Sequence, residues 1–145
     1  MRLLIFKLIS CVFFTTEKGF LTVNDRGILT VDSNEKNAGN FEFIHLNRDQ
    51  STSFKLKFGK NFIVKKKGKN NYFYLSSGSG KNDFFTMKLV PTNSGNKFHI
   101  NHNGECLSLL KNSYNQTVTR NDCGDDNVLL FNYHKVIGHE PQIIS

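Results

Sequence analysis

The sequence predicts an all-β fold assembled from three copies of one four-strand unit. Three observations predict it. Short apolar runs are punctuated by Gly and Asn, with only two prolines and no sustained helical period, which is the pattern of strands and turns. One order recurs three times: an alternating strand, a Gly- or Asn-containing turn, an apolar strand, a polar stretch and an aromatic-rich strand. The closing strands open near Asn40, Asn82 and Asn127, 42 and 45 residues apart. Units of ~40 residues cannot bury their own apolar faces, and three blades are too few to close a propeller. The repeat therefore points to a β-trefoil, a barrel capped by hairpins. Its copies span residues 18–50, 51–93 and 94–137 within a domain at 17–137, and the 14 Phe supply bulky groups for the core.

Residues 1–16 carry Arg2, an apolar run and small polar residues at their end. This is the pattern of a secretory signal peptide, interrupted by Lys7; the alternative is an uncleaved first strand packed on the core. The run is too short and too interrupted for a transmembrane helix. The formal net charge is +7, or +5 once Arg2 and Lys7 are discounted. Beyond the leader two cysteines stand, Cys106 and Cys123. An even pair in a secreted chain suits a disulfide; in a cytosolic chain the same pair reads as two reduced core thiols. Asn115-Gln116-Thr117 is an N-glycosylation sequon at Asn115, usable in the secretory pathway. The expected location is extracellular.

From residue 18 onward, strands are expected at 20–23 and 28–31 across the turn Asn24-Asp25-Arg26-Gly27, then at 41–46. Phe54-Lys55-Leu56-Lys57-Phe58 alternates strictly, which turns three apolar groups inward and two lysines outward. A strand at 62–64 leads into a basic hairpin tip, and strands at 72–75 and 84–90 follow, the latter stopped by Pro91. The third copy offers strands at 97–100, 106–110, 116–120 and 129–136, and residues 138–145 form a tail without pattern.

Gly104-Glu105-Cys106-Leu107-Ser108-Leu109, then Val118-Thr119-Arg120-Asn121-Asp122-Cys123, then Asn127-Val128-Leu129-Leu130 resembles a subdomain of the ricin B-type lectins. Repeats of that family run Gly-x-Cys-Leu-Asp, a Val-containing strand ending in Cys, and Asn-Gln-x-Trp. The resemblance is good over about thirty residues of the third copy. Asn40-Phe41-Glu42-Phe43 and Asn82-Asp83-Phe84-Phe85 stand at the last of these motifs in the other two copies. It implies a sugar pocket in which an early Asp accepts two hydroxyls, an aromatic ring stacks on the sugar face and a late amide orients the rest. Here the early position holds Ser108, the platform position Asn121, and only Asn127 fits. The early position falls near Thr30 in the first copy and near Val64 or Lys65 in the second. A glycan pocket of this type would gather Ser108, Tyr114, Asn121 and Asn127.

Seven lysines, Lys55, Lys57, Lys60, Lys65, Lys66, Lys67 and Lys69, fall within fifteen residues. They read as a solvated hairpin or as a polyanion site for sulfated glycan, nucleic acid or an acidic partner. In charge alone they resemble the basic loops of the fibroblast growth factors. Arginine is scarce, which argues against tailored phosphate or base recognition. His45, His99, His102, His134 and His139 are dispersed, so no metal site and no cofactor are expected. Asp122, Asp125 and Asp126 read as turn-formers rather than a glycosidase pair. No catalytic signature appears. The sequence thus predicts a non-enzymatic binding module for a glycan or a protein partner. The alternatives are a structural or coat component that oligomerises around a trefoil scaffold and, with an uncleaved N-terminus, a basic nucleic-acid- or ribosome-associated factor.

Overall fold

The computed structural model describes residues 3–45, 53–67, 71–111 and 116–144, with side chains described between residues 11 and 136 of those spans. Twelve strands fall into three sets of four. The first copy holds β1 (Leu3–Thr16), β2 (Gly19–Val23), β3 (Leu29–Asp32) and β4 (Glu42–His45). The second holds β5 (Ser53–Phe58), β6 (Asn61–Lys65), β7 (Phe73–Ser76) and β8 (Phe85–Thr92). The third holds β9 (Gly95–His102), β10 (Glu105–Leu109), β11 (Val118–Asn121) and β12 (Phe131–Ile144). Among the described residues the helical content is one 3-10 turn, Glu35–Asn37, and no helix is long and apolar enough to cross a membrane.

The first and last strands of each copy make the barrel. Antiparallel pairing runs from β1 to β12, β9, β8, β5 and β4. A bridge between Val12 and Phe41 closes the ring, with reciprocal main-chain hydrogen bonds of 2.7 Å. The middle strands form the hairpins β2–β3, β6–β7 and β10–β11. These cap one end and are tied together by Leu75 N–H to the Gly27 carbonyl (2.8 Å) and Val31 N–H to the Gln116 carbonyl (3.0 Å). The result is a β-trefoil, as the repeat predicts.

The threefold pattern sets the core. Within each copy the outer strands share an apolar pair, Val12 with Phe41, Phe54 with Phe85 and Phe98 with Phe131. Phe41, Phe85 and Phe131 are all fully buried, and burying such a side chain contributes about 1.5–3 kcal/mol. Phe14 sits edge-on to Phe41, Phe43 and Phe131 at 5.7, 5.8 and 6.0 Å, a favoured aromatic geometry. On β5, Phe54 and Leu56 are buried while Lys55 and Lys57 are not, as strict alternation requires.

Three elements run beyond their expected bounds. The segment expected as a leader supplies β1, and Val12 and Phe14 on it are buried in the core. The trefoil therefore draws on residues ahead of position 17. Residues 138–144, expected as a tail, continue β12 along β1, from Gly138 opposite Ile9 to Ile144 opposite Leu3. The strand expected to stop at Pro91 runs on to Thr92. Thr92 and Gly95 close a two-residue turn, so the next pair, Pro91 with Asn96, falls by alternation where N–H groups point away from the partner.

Two turns need special residues. Gly19, at φ +137°, follows β1, and a Cβ there would lie 2.5 Å from the Asp32 carbonyl oxygen. Asn103 and Gly104, at φ 50° and 84°, join β9 to β10; positive φ at both central residues is the demand of a tight hairpin turn that Asn-Gly meets.

Candidate functional site

The hairpin registers align the copies. Leu21 opposite Val31, Ile63 opposite Leu75 and Leu107 opposite Arg120 are equivalent, and Leu21, Ile63 and Leu107 are all buried. One step on stand Thr22, Val64 and Ser108, facing Thr30, Tyr74 and Thr119. One step back, Asp32, Ser76 and Asn121 share a position. The first copy therefore carries the early polar position at Thr22 rather than Thr30.

In the third copy three of the expected pocket residues, Ser108, Asn121 and Asn127, are described, and each is held differently. Ser108 is fully buried, and its hydroxyl donates to the Cys106 carbonyl (3.0 Å). Asn121 is exposed, with its side-chain oxygen accepting from the Asp122 N–H (2.9 Å). The Asn127 main chain is held from both sides, its N–H by an Asp125 carboxylate oxygen (2.8 Å) and its carbonyl by the Leu109 N–H (2.9 Å). Tyr114 and Asn115 lie outside the described residues. Asp122 and Asp125 cap this loop, and Asp122 also takes the Gly124 N–H at 2.9 Å. The two cysteines form the disulfide Cys106–Cys123, Cα to Cα 5.0 Å, which fastens β10 to the turn after β11. His99 lies with both sulfurs inside 4.8 Å, but disulfide sulfurs offer no thiolate to a metal.

The first copy instead opens on a polar cavity of about 420 Å³. Thr22, Thr30 and Asp32 line it from the hairpin, Asn24 and Asp25 from the turn, and Asn37 from the 3-10 turn beyond. Local chemistry holds these groups in place. Asn24 accepts the N–H groups of Arg26 (2.9 Å) and Ile28 (3.0 Å). Asp32 accepts the Asn34 N–H (2.8 Å) on one oxygen and the Asn37 amide (3.2 Å) on the other. A carboxylate oxygen has two lone pairs, so both oxygens keep capacity for a further donor. The Asn-Asp turn was visible in the sequence; its place beside Asp32 depends on the hairpin register.

A second cavity, about 370 Å³, lies at the seam between the second and third copies. Lys65, Lys66 and Lys67 enter from the end of β6, and Arg120 from β11. Amides come from Asn71, Asn82 and Asn103, with Asp83 at the wall. Asp83 takes the Gly80 N–H at 2.6 Å. An adjoining hollow of about 280 Å³ places Tyr74 and Ser76 on the other side of the same lysines, and the Lys66 ammonium lies 5.3 Å from the Tyr74 ring centre. The expected lysine cluster is thus divided. Lys55 donates to Ser79 (2.6 Å), Lys57 lies over Phe62, and Lys60 is exposed in the β5–β6 turn. Lys69 lies outside the described residues.

Behind the lysines stands His102, only 3% exposed and packed against Phe73 and Phe85. Arg120 donates to its Nδ1 at 2.9 Å and pairs through Nε with Glu105 at 3.3 Å. An arginine cannot accept, so Nδ1 is the acceptor and the ring proton sits on Nε2. Among the described residues, the buried Nε2 has no hydrogen-bond partner. Burial first, then Arg120 and more weakly Lys65, lower the His102 pKa to about 4, against the pull of Asp83 and the Asn82 main chain. Burial and then Arg120 also lower the pKa of Lys65, partly offset by Glu105. Neither Arg120 nor His102 stands near the lysines in sequence, so only the fold brings them together.

No family model matches the chain, and no curated protein matches it. Solved structures do. A chain of the Haemophilus ducreyi cytolethal distending toxin superposes with a TM-score of 0.57 at 18% identity, over 84% of this chain and 80% of that one. A chain of the Actinobacillus actinomycetemcomitans cytolethal distending toxin gives 0.55 at 19%, over 84% and 88%. The BEL β-trefoil gives 0.51 at 15%, over 86% and 93%. At such identities the likeness is one of fold, and it agrees with the trefoil read from the strand pairing.

Proposed function

We propose that this chain is a secreted, non-enzymatic binding module of the ricin B-lectin kind, and that it holds a glycan in its first copy. The observation that carries this reading is the cavity between Thr22, Thr30, Asp32 and Asn37. It sits on the hairpin positions that the resemblance assigns to sugar contact, and it offers hydroxyl, amide and carboxylate groups together. A sugar presents many hydroxyls, each both donor and acceptor, and such a mixed lining matches them. No aromatic platform stands at the shared position, where Asp32, Ser76 and Asn121 occur, so the affinity expected of a single site is weak.

A glycan array followed by titration calorimetry on its best hit tests the reading. Asp32→Asn keeps an acceptor for the Asn34 N–H but removes the charge, and it is expected to weaken binding roughly tenfold. Asn121→Ala, at the same position of the third copy, is expected to leave binding unchanged. An array without hits sinks the proposal. Secretion is tested separately by N-terminal sequencing of the natural protein. A mature N-terminus beyond Thr16 supports secretion; an N-terminus at Met1, which keeps Val12 and Phe14 in the core seen here, counts against a cleaved leader and for the basic nucleic-acid- or ribosome-associated alternative.

A further inference from the structure

We propose that the seam cavity between the second and third copies is a binding site for a tetrahedral oxyanion, the sulfate or phosphate ester of a small carrier. This site is separate from the first-copy cavity and does not depend on it. Four cationic side chains, Lys65, Lys66, Lys67 and Arg120, line one hollow with Asp83 at its wall and Glu105 paired to Arg120 behind it, so cations outnumber carboxylates four to two. Cations gathered this way repel one another, and an anion between them relieves the repulsion. After burial, Arg120 is the next cause that lowers the pKa of Lys65, with Glu105 opposing it.

The second, independent observation is His102. It lines the same cavity, is nine-tenths buried or more, and keeps a proton on an Nε2 that makes no hydrogen bond of good geometry among the described residues, with only the pull of the Asn82 main chain on the ring. A buried donor without a partner is costly, and an anion oxygen would satisfy it directly or through a water. The Arg120 guanidinium is held from behind by Glu105 and His102, so it is fixed in place rather than swinging in solvent. Donors reach the hollow from the β6 end, the β9–β10 turn and β11, which are three separate directions. Oxygens spread as a tetrahedron meet such an arrangement better than a planar carboxylate, which favours a flat two-point fork.

The test is titration calorimetry of the intact chain with a heparin-derived sulfated tetrasaccharide, with inorganic sulfate and phosphate as competitors. Lys67 is exposed, and the Lys66 side chain is half-buried with its ammonium over the Tyr74 ring, so Lys67→Glu and Lys66→Glu should both fold; each is expected to weaken binding about tenfold or more. Asn103→Gly removes the amide while keeping the positive φ of the turn, and is expected to cost a few-fold. Lys60→Glu makes the same change of charge outside the cavity and is expected to change affinity less than about twofold. If the free ions compete as well per group as the ester, the oxyanion site stands and its ligand is the free ion. Equal losses from Lys60→Glu and Lys67→Glu would show diffuse attraction and overturn the site. So would no binding at millimolar ester, or tighter binding of an oligoglutamate or a single-stranded oligonucleotide than of the tetrasaccharide.

Discussion

The first and third copies place the same hairpin at equivalent corners of the trefoil and use it differently. In the third, Ser108 points inward and is sealed under the Cys106–Cys123 bridge and the loop that Asp122 and Asp125 cap. In the first the hairpin has no cysteine, and the matching Thr22 and Asp32 line an open polar cavity. The copy that looks most like a lectin in sequence is therefore the one whose signature residues serve packing. Cysteine, glycine and leucine at fixed spacing report how a hairpin is fastened. What the hairpin offers a ligand depends on side chains that the spacing does not specify.

The largest test of this difference is removal of the bridge. Closing a loop over a sequence separation of 17 residues contributes about 3 kcal/mol by restricting the unfolded chain. The double variant Cys106→Ser/Cys123→Ser should lose about that much in urea denaturation. Amide exchange should rise first in β10 and β11 and stay slow in β2 and β3. Equal loosening of all three hairpins would mean that the copies melt as one unit and that the third has no fastening of its own.

A smaller effect separates the copies by pH. Thr16, Phe58 and His102 occupy one position, the last residue before the turn into the second strand. Only the third copy places an ionisable group there. The folded pKa of His102, about 4, lies below the 6.5 of an open imidazole. Between those values the unfolded chain binds more protons, so stability falls as pH drops from 6.5 towards 4. Burial first, then Arg120 and more weakly Lys65, push the ring in this direction, while Asp83 and the Asn82 main chain oppose them. His102→Phe, which copies the second repeat, should flatten this slope in denaturation curves taken across the range. His99, lowered by burial and by Lys88, keeps a slope of the same sign in that variant. An unchanged slope would place the proton uptake elsewhere.

The fold was legible because it is periodic. Phe41, Phe85 and Phe131 recur where the closing strands were expected, and the Phe54–Phe58 alternation set which lysines face outward. The first barrel strand was harder to read, since an apolar strand and a leader share a composition and differ only in what they meet. The seam site was half legible. Lys65, Lys66 and Lys67 stood out as a run, but contiguity also drew in Lys55 and Lys57, which the alternation of β5 places with Ser79 and Phe62. Arg120 and His102 come from the third copy, and only chain topology brings them to the lysines. Ser108 illustrates the same limit, because one step of register decides whether a hydroxyl meets solvent or the Cys106 carbonyl.

That single step makes the smallest and sharpest test. Ser108→Ala removes one hydroxyl whose described bond is to a main-chain carbonyl within its own strand. Its expected cost is about 1 kcal/mol or less, since the net worth of such a bond is small. Glycan affinity should not change, because the side chain has no exposed surface. Thr22→Ala, at the equivalent position, removes a hydroxyl that lines the open cavity and should weaken binding with a similarly small cost in stability. Both variants remove a hydroxyl at matched places in the repeat, and Thr22→Ala also removes a γ-methyl, so Thr22→Val, which keeps the shape and loses only the hydroxyl, is its control. If Ser108→Ala lost affinity and Thr22→Ala did not, the ligand would have to enter the third copy, and the hairpin there would have to open to admit it.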